Sequence, residues 1–253
     1  MHNGASAPMA ALKRRVRRLR AWRLAAGHAL GSLRYLGNGP ALLEHLRFPN
    51  LLLPPVIHVA PQRIEHICSV SAKPARGCPL FIGGDWDRQL TPTLVAEAEN
   101  PKFLSCRELL VDGLAPEETS EYCYIMAAIA RQGSYRGCDN AVDARAHVEA
   151  RLAFYRRIAT GGYRSQPALG ESRHVGEIEC AVDRDGKLVK INAGNHRLAI
   201  ARLLALPTIP VHLAVIHDTW RPGLTASGGL ASLSRLRAFI AKIEAAHCLH
   251  ATR

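Results

Sequence analysis

Glycine, asparagine, histidine and arginine follow one another at Gly194, Asn195, His196 and Arg197, residue types that in this order suit an anion. The run before them, Lys187 to Ile191, is short and β-branched. Leu198, Ala199, Ala201, Leu203 and Leu204 after them are strong helix formers, and Pro207 ends the pattern. The four residues therefore fall at a strand-to-helix junction. A helix start offers unpaired N–H groups and partial positive charge, and glycine lets a phosphate come close to the backbone. His196 adds a titratable donor, and Arg197 a planar, always-charged fork that matches phosphate oxygens. The plain alternative is a solvated turn with an ordinary surface histidine and arginine.

A second set lies upstream, where the apolar stub PLFI ends in Gly83-Gly84-Asp85-Trp86-Asp87. If extended, Asp85 and Asp87 point to the same side, which suits a divalent cation, Mg2+, or a general base beside a phosphate. Equally, one aspartate caps a turn and Trp86 belongs to the core. Glu177 and Glu179 are further candidate bases near the sheet. Because each Gly-containing turn follows a strand-like run, the Asp85/Asp87 turn is expected to face the Gly194 turn across one pocket.

The elements that must hold these groups are legible in outline. Glu177 to Val182 alternates and pairs with Lys187 to Ile191 across an Asp185-Gly186 hairpin signal, and a further strand begins at Ile209-Pro210-Val211. Residues 51 to 70 read as strand-rich, interrupted by Pro54, Pro55 and Pro61. Thr93 to Gly133 and Asn140 to Ala159 read as helical, and Glu117, Glu118 and Glu121 suit the first turn of a helix burying Tyr122, Ile125 and Met126. A last amphipathic helix carries Leu230, Leu233, Leu236, Ile240 and Ile243. The expectation is an α+β chain in four parts: a basic arm over 1–43, a strand-then-helix region over 44–160, a core over 161–221, and a linker with the final helix over 222–253.

With 253 residues, 48% of them hydrophobic, the chain can build a core. Seven scattered cysteines with no close Cys-x-x-Cys pair argue for reduced thiols and against a structural zinc site or a disulfide framework. No apolar run approaches the roughly 20 residues that span a bilayer, and no signal-peptide core opens the chain. A cytoplasmic protein is expected. Of the net charge of +12, the eight basic residues Lys13, Arg14, Arg15, Arg17, Arg18, Arg20, Arg23 and Arg34 fall in residues 1–43, which contain no acid. Leu12, Val16, Leu19, Trp22, Ala26, Leu30 and Leu33 share one helical face opposite most of the arginines. Residues 10–34 are thus expected to lie on an anionic membrane surface, peripherally on its inner face, with nucleic acid as the alternative partner. A helix packed on the protein's own body is the bland reading.

The stretch Gly194 to Arg197, followed by its helix and the Ile209-Pro210-Val211 strand, resembles the ParB/sulfiredoxin-like superfamily, over Tyr163 to about Trp220. PLFIGGDWD, EETSEY, GYRSQ and HDTW resemble a little-characterised group built on the same ParB-like domain, which extends the likeness over most of residues 50 to 221. The resemblance implies a small mixed sheet with packed helices, and phosphate or nucleotide handling at this turn, with ATP or CTP as the nucleotide. Sulfiredoxins carry cysteine directly before His-Arg where this chain has Asn195, which excludes their thiolate chemistry. Many relatives carry aspartate before the glycine where this chain has Ala193, so a carboxylate must come from elsewhere.

The expected activity is that of a nucleotide-dependent phosphotransferase or kinase. Gly194 and Asn195 would meet the phosphates, His196 and Arg197 would neutralise them, and Asp85 or Asp87 would hold Mg2+. The alternatives are a DNA-associated, nucleotide-gated or nuclease-like ParB-like protein and a non-catalytic membrane-surface binding protein. No helix-turn-helix pattern follows the core, where partitioning proteins carry theirs, which weakens the DNA reading.

Overall fold

The structure, a computed structural model, describes residues 55–68, 80–165, 167–169, 177–191, 194–225 and 229–248. The arm over residues 10–34, with its expected membrane or nucleic-acid partner, lies outside the described residues, as does Ala193.

Seven strands make one open mixed sheet: β1 (Val56–Val59), β2 (His66–Cys68), β3 (Phe81–Ile82), β4 (Leu90–Pro92), β5 (Ile178–Val182), β6 (Leu188–Lys190) and β7 (Ile209–His217). Their order is β1-β7-β5-β6-β2-β4, with β3 joining β7 beyond β1. β5 runs parallel to β7 and antiparallel to β6, joined to it by the hairpin expected at Asp185-Gly186, where Gly186 takes φ +85°. Every residue of β7 is buried, as its near-continuous apolar run requires of a central strand covered on both faces.

The helices are α1 (Thr93–Glu99), α2 (Pro101–Leu110), α3 (Ser120–Gln132), α4 (Ala141–Gly161), α5 (Asn195–Leu203), α6 (Arg221–Thr225) and α7 (Gly229–His247). The helical reading of Thr93 to Gly133 therefore breaks into three helices. Asn100 caps α2 by accepting from the Lys102 N–H, with Pro101 at its first position, and Thr119 caps α3 by accepting from the Tyr122 N–H. Each pair of signals stops one helix and starts the next. α4 starts at the Asn140 cap and ends at Gly162, which takes φ +74°.

One face of the sheet, through Ile178, Cys180, Val182, Val211 and Leu213, packs on Leu198, Ile200, Tyr155 and Phe103 of the helices. The other face carries Ala181, Val189, Ile191, Ala214 and Val215 against Trp86 and Cys68. Trp86 is thus a core residue, the plainer of the two sequence readings. α7 closes the β1 edge, with the Ala60 N–H donating to the His247 carbonyl at 2.9 Å and the His58 N–H to Glu244 at 2.7 Å. Because β1 and β3 pair with β7, and β2 with β6, the sheet takes strands from both sides of residue 160. Strands β1 to β4 and β5 to β7 thus belong to one sheet. Among the described residues, no helix is long and apolar enough to cross a membrane.

Candidate functional site

Gly194 forms the N-cap of α5 at φ +94° and ψ +18°, the left-handed region that glycine enters without penalty. A Cβ there would stand 2.6 Å from the Ile178 Cα, so the glycine also lets α5 start against the backbone of β5. The close approach expected for a phosphate is, on this side, made to the protein's own strand.

Both His196 and Arg197 already face protein carboxylates. His196 Nε2 donates to both oxygens of Glu121, each at 2.9 Å, and Glu121 is buried at the start of α3. His147 of α4 stands 3.8 Å from the same carboxylate, and an Arg151 Nη2–H donates to His147 Nε2 at 3.4 Å. Burial pushes the Glu121 carboxyl up, yet the two imidazoles outweigh it and hold the group well below the usual carboxylate range. Burial in turn lowers His196 below its ordinary value, against the pull of Glu121. A neutral imidazole donating Nε2–H to an ionised carboxylate satisfies both directions. His196 is therefore turned inward, where the sequence placed it on a phosphate, and its tautomer follows from the acceptor-only carboxylate.

Arg197 is buried, with its guanidinium 5.4 Å from the ring centres of both Phe154 and Tyr163. Its Nη1 lies 3.8 Å from Glu177 Oε2 and donates to the Arg164 carbonyl at 3.4 Å. The Tyr163 hydroxyl donates to the same Glu177 oxygen at 3.3 Å, and burial, then Glu177, push its ionisation up. Glu177, expected as a base, is here the counter-ion of Arg197. Glu179 alternates away from the face on which Ile178 and Cys180 meet the helices and stands in register with His212. The side-chain oxygen of Asn195 is buried with no hydrogen-bond partner among the described residues.

Beside Arg197 opens a cavity of about 110 Å³, lined by Phe154, Arg157 and Ile158 of α4, the Gly161-Gly162 end of that helix, Arg164 and Leu169. Arg157 packs its guanidinium 5.6 Å from the Phe154 ring centre. Among the described residues, neither Arg157 nor Arg164 lies within ion-pair distance of a carboxylate, so three arginines meet the single charge of Glu177. At roughly 30 Å³ per water, the space holds about three or four waters or one tetrahedral oxyanion. Arg157 and Arg164 escaped the sequence reading because α4 brings them to Arg197 only in the fold; GYRSQ was the one local signal.

The Asp85/Asp87 turn lies elsewhere. Arg184, just past the end of β5, donates to Asp87 Oδ2 from Nε at 2.8 Å, to Asp87 Oδ1 from Nη2 at 2.6 Å and to Asp85 Oδ1 at 2.9 Å. Arg88 also reaches Asp85, at 2.8 Å. Burial pushes the Asp87 carboxyl up, but Arg184 outweighs it and holds the group below its ordinary value. The His217 imidazole contacts the Gly84 carbonyl through Nε2 at 3.0 Å. These carboxylates do not fit Mg2+, because a guanidinium occupies the place where an octahedral oxygen shell would form. Nor do they share a pocket with Arg197. Glu177, beside Arg197, and Arg184, beside Asp87, flank opposite ends of β5, and none of Asp85, Asp87 and Arg184 lines the cavity at Arg197. The expected single pocket is thus corrected to two separate clusters, and in this one Asp85 and Asp87 hold the β3–β4 turn to the β5–β6 hairpin.

Compared with protein-family models, with curated proteins and with solved structures, the chain matches none.

Proposed function

We propose that this protein binds a phosphate-bearing ligand, a nucleotide such as ATP or CTP first among them, by its terminal phosphate in the pocket of Arg157, Arg164 and Arg197. The observation that carries the reading is the excess, among the described residues, of guanidinium over carboxylate around a cavity sized for one oxyanion. Planar forks on Arg157 and Arg164 would bond phosphate oxygens bidentately, while buried Arg197, held between two rings, supplies a fixed charge behind them.

The reading extends to a nucleotide-dependent phosphotransferase with the ParB/sulfiredoxin-like fold, on the strength of the resemblance at Gly194 to Arg197. In that reaction the arginines neutralise charge on the transferred group, and Glu177, already paired with Arg197, is assigned no step. No step is assigned to Asp85 or Asp87.

Calorimetric titration of ATP, CTP and inorganic phosphate into the protein and into Arg157→Ala and Arg164→Ala tests the pocket. Each exposed arginine should contribute about 1.5 to 3 kcal/mol, roughly ten- to hundredfold in affinity, while stability changes by no more than about 0.5 kcal/mol. Unchanged affinity in both variants, or no binding to the intact protein, overturns it.

A further inference from the structure

A charged cluster beside the pocket plays no part in the binding just described. His196 of α5 meets Glu121 of α3 at 2.9 Å, with His147, Arg151 and Tyr155 of α4 around them. Lys102 and Cys106 of α2 complete the surroundings, Lys102 raising the local positive potential at His196 and Cys106 lying beside Tyr155. The Tyr155 hydroxyl and Arg151 Nε are buried there without hydrogen-bond partners among the described residues.

We propose that Glu121 and His196 form a latch holding the first turn of α5 against α3 and α4, and that a proton gained by His196 loosens it and weakens anion binding in the arginine pocket. The proposal rests on the pocket reading for its effect on binding, though not for the latch itself.

The sign follows from counting charges. With His196 neutral, its imidazole N–H satisfies the Glu121 carboxylate without adding charge, and Arg151 reaches the cluster through His147. A proton on Nδ1 turns His196 into a cation facing the positive potential of Arg151 and Lys102 in a largely buried site, with Glu121 already shared with His147. The pocket feels the change because the same two helices build both clusters. On α5 the latch residue His196 precedes the pocket residue Arg197. On α4 His147, Arg151 and Tyr155 face the latch, while Phe154, Arg157 and Ile158 line the pocket. A small rotation of α4 against the start of α5 therefore moves Phe154 and Arg157 relative to Arg197.

The test uses sulfate, a tetrahedral anion that does not itself titrate in this range, with the full chain and its His196→Gln variant, whose amide can still donate to Glu121 but gains no proton. Affinity for sulfate is measured between pH 7.5 and pH 5.5, together with hydrogen exchange of the first-turn amides of α5, corrected for intrinsic rate. The expected result is a three- to tenfold loss of sulfate affinity on acidification in the wild type and a flat profile in His196→Gln. The wild type alone should lose amide protection. Equal pH profiles in the two proteins, in affinity or in protection, overturn the latch. If sulfate binds neither protein at any pH, the pocket reading falls, and the amide protection alone decides the latch.

Discussion

Glu121 and His196 lie 75 positions apart in the chain, and the His196 Nε2 stands 2.9 Å from both carboxylate oxygens, so one buried carboxylate ties the start of α3 to the start of α5. Two helix N-termini converge on this negative charge, which their dipoles favour. Removing it leaves His196, His147 and Arg151 facing one another. Glu121→Ala is expected to cost about 2 to 4 kcal/mol, between the loss of a charged hydrogen bond and the breaking of a buried pair. Urea denaturation measures it, and Glu121→Gln, which keeps an acceptor, should cost less.

Acid should destabilise the protein in two steps. His196 has a folded-state pKa below its unfolded value, so its contribution is present above the unfolded value near 6.5 and is lost as pH falls from there through the folded value. Glu121 is likewise depressed, so its contribution is present above the unfolded value near 4.5 and is lost below it. Melting temperatures recorded from pH 8 to pH 3 in a phosphate-free buffer should fall below about pH 6.5 and again, more steeply, below about pH 4.5. Stability that rises as pH drops from 7 to 5.5 contradicts the assignment.

Gly194 admits no side chain. Alanine there combines a left-handed conformation, about 1 to 2 kcal/mol, with an overlap against the Ile178 backbone at 2.6 Å that forces α5 or β5 to move. A loss of about 2 to 5 kcal/mol in denaturant titration is expected, with a weakened anion pocket as α5 shifts. A fully stable Gly194→Ala would show that the close approach to β5 is not required.

Arg184 and the two aspartates are expected to matter for stability and not for ligand binding. Arg184→Ala leaves Asp87 buried without its partner and should lower the denaturation midpoint clearly. Asp85 is exposed, and Asp85→Asn should leave stability nearly unchanged. Nucleotide affinity in Asp85→Asn should equal the wild type within error by calorimetry. A large loss of affinity there would return the turn to the ligand site.

The local features of this chain are set by residues close together in sequence. Asp185-Gly186 closes the β5–β6 hairpin, Asn140 starts α4, and Gly194 begins α5, because turn and cap chemistry acts over a few residues and needs no distant partner. The largely apolar run from Ile209-Pro210-Val211 likewise marked the strand that became β7. Which groups meet across the fold was decided by tertiary packing. His196 and Arg197 have the same neighbours in sequence, yet one turns to Glu121 and the other to Glu177, because α3 and the start of β5 deliver carboxylates on different sides of α5. Asp85 and Asp87 match a metal pair in spacing, and Arg184, about 100 residues away, claims them instead. Arg157 carried no signal beyond its charge, and Arg164 only its place in GYRSQ, until α4 and the segment after it set them beside Arg197. A carboxylate or a guanidinium takes its role from the nearest opposite charge, and in this protein those partners come from remote parts of the chain.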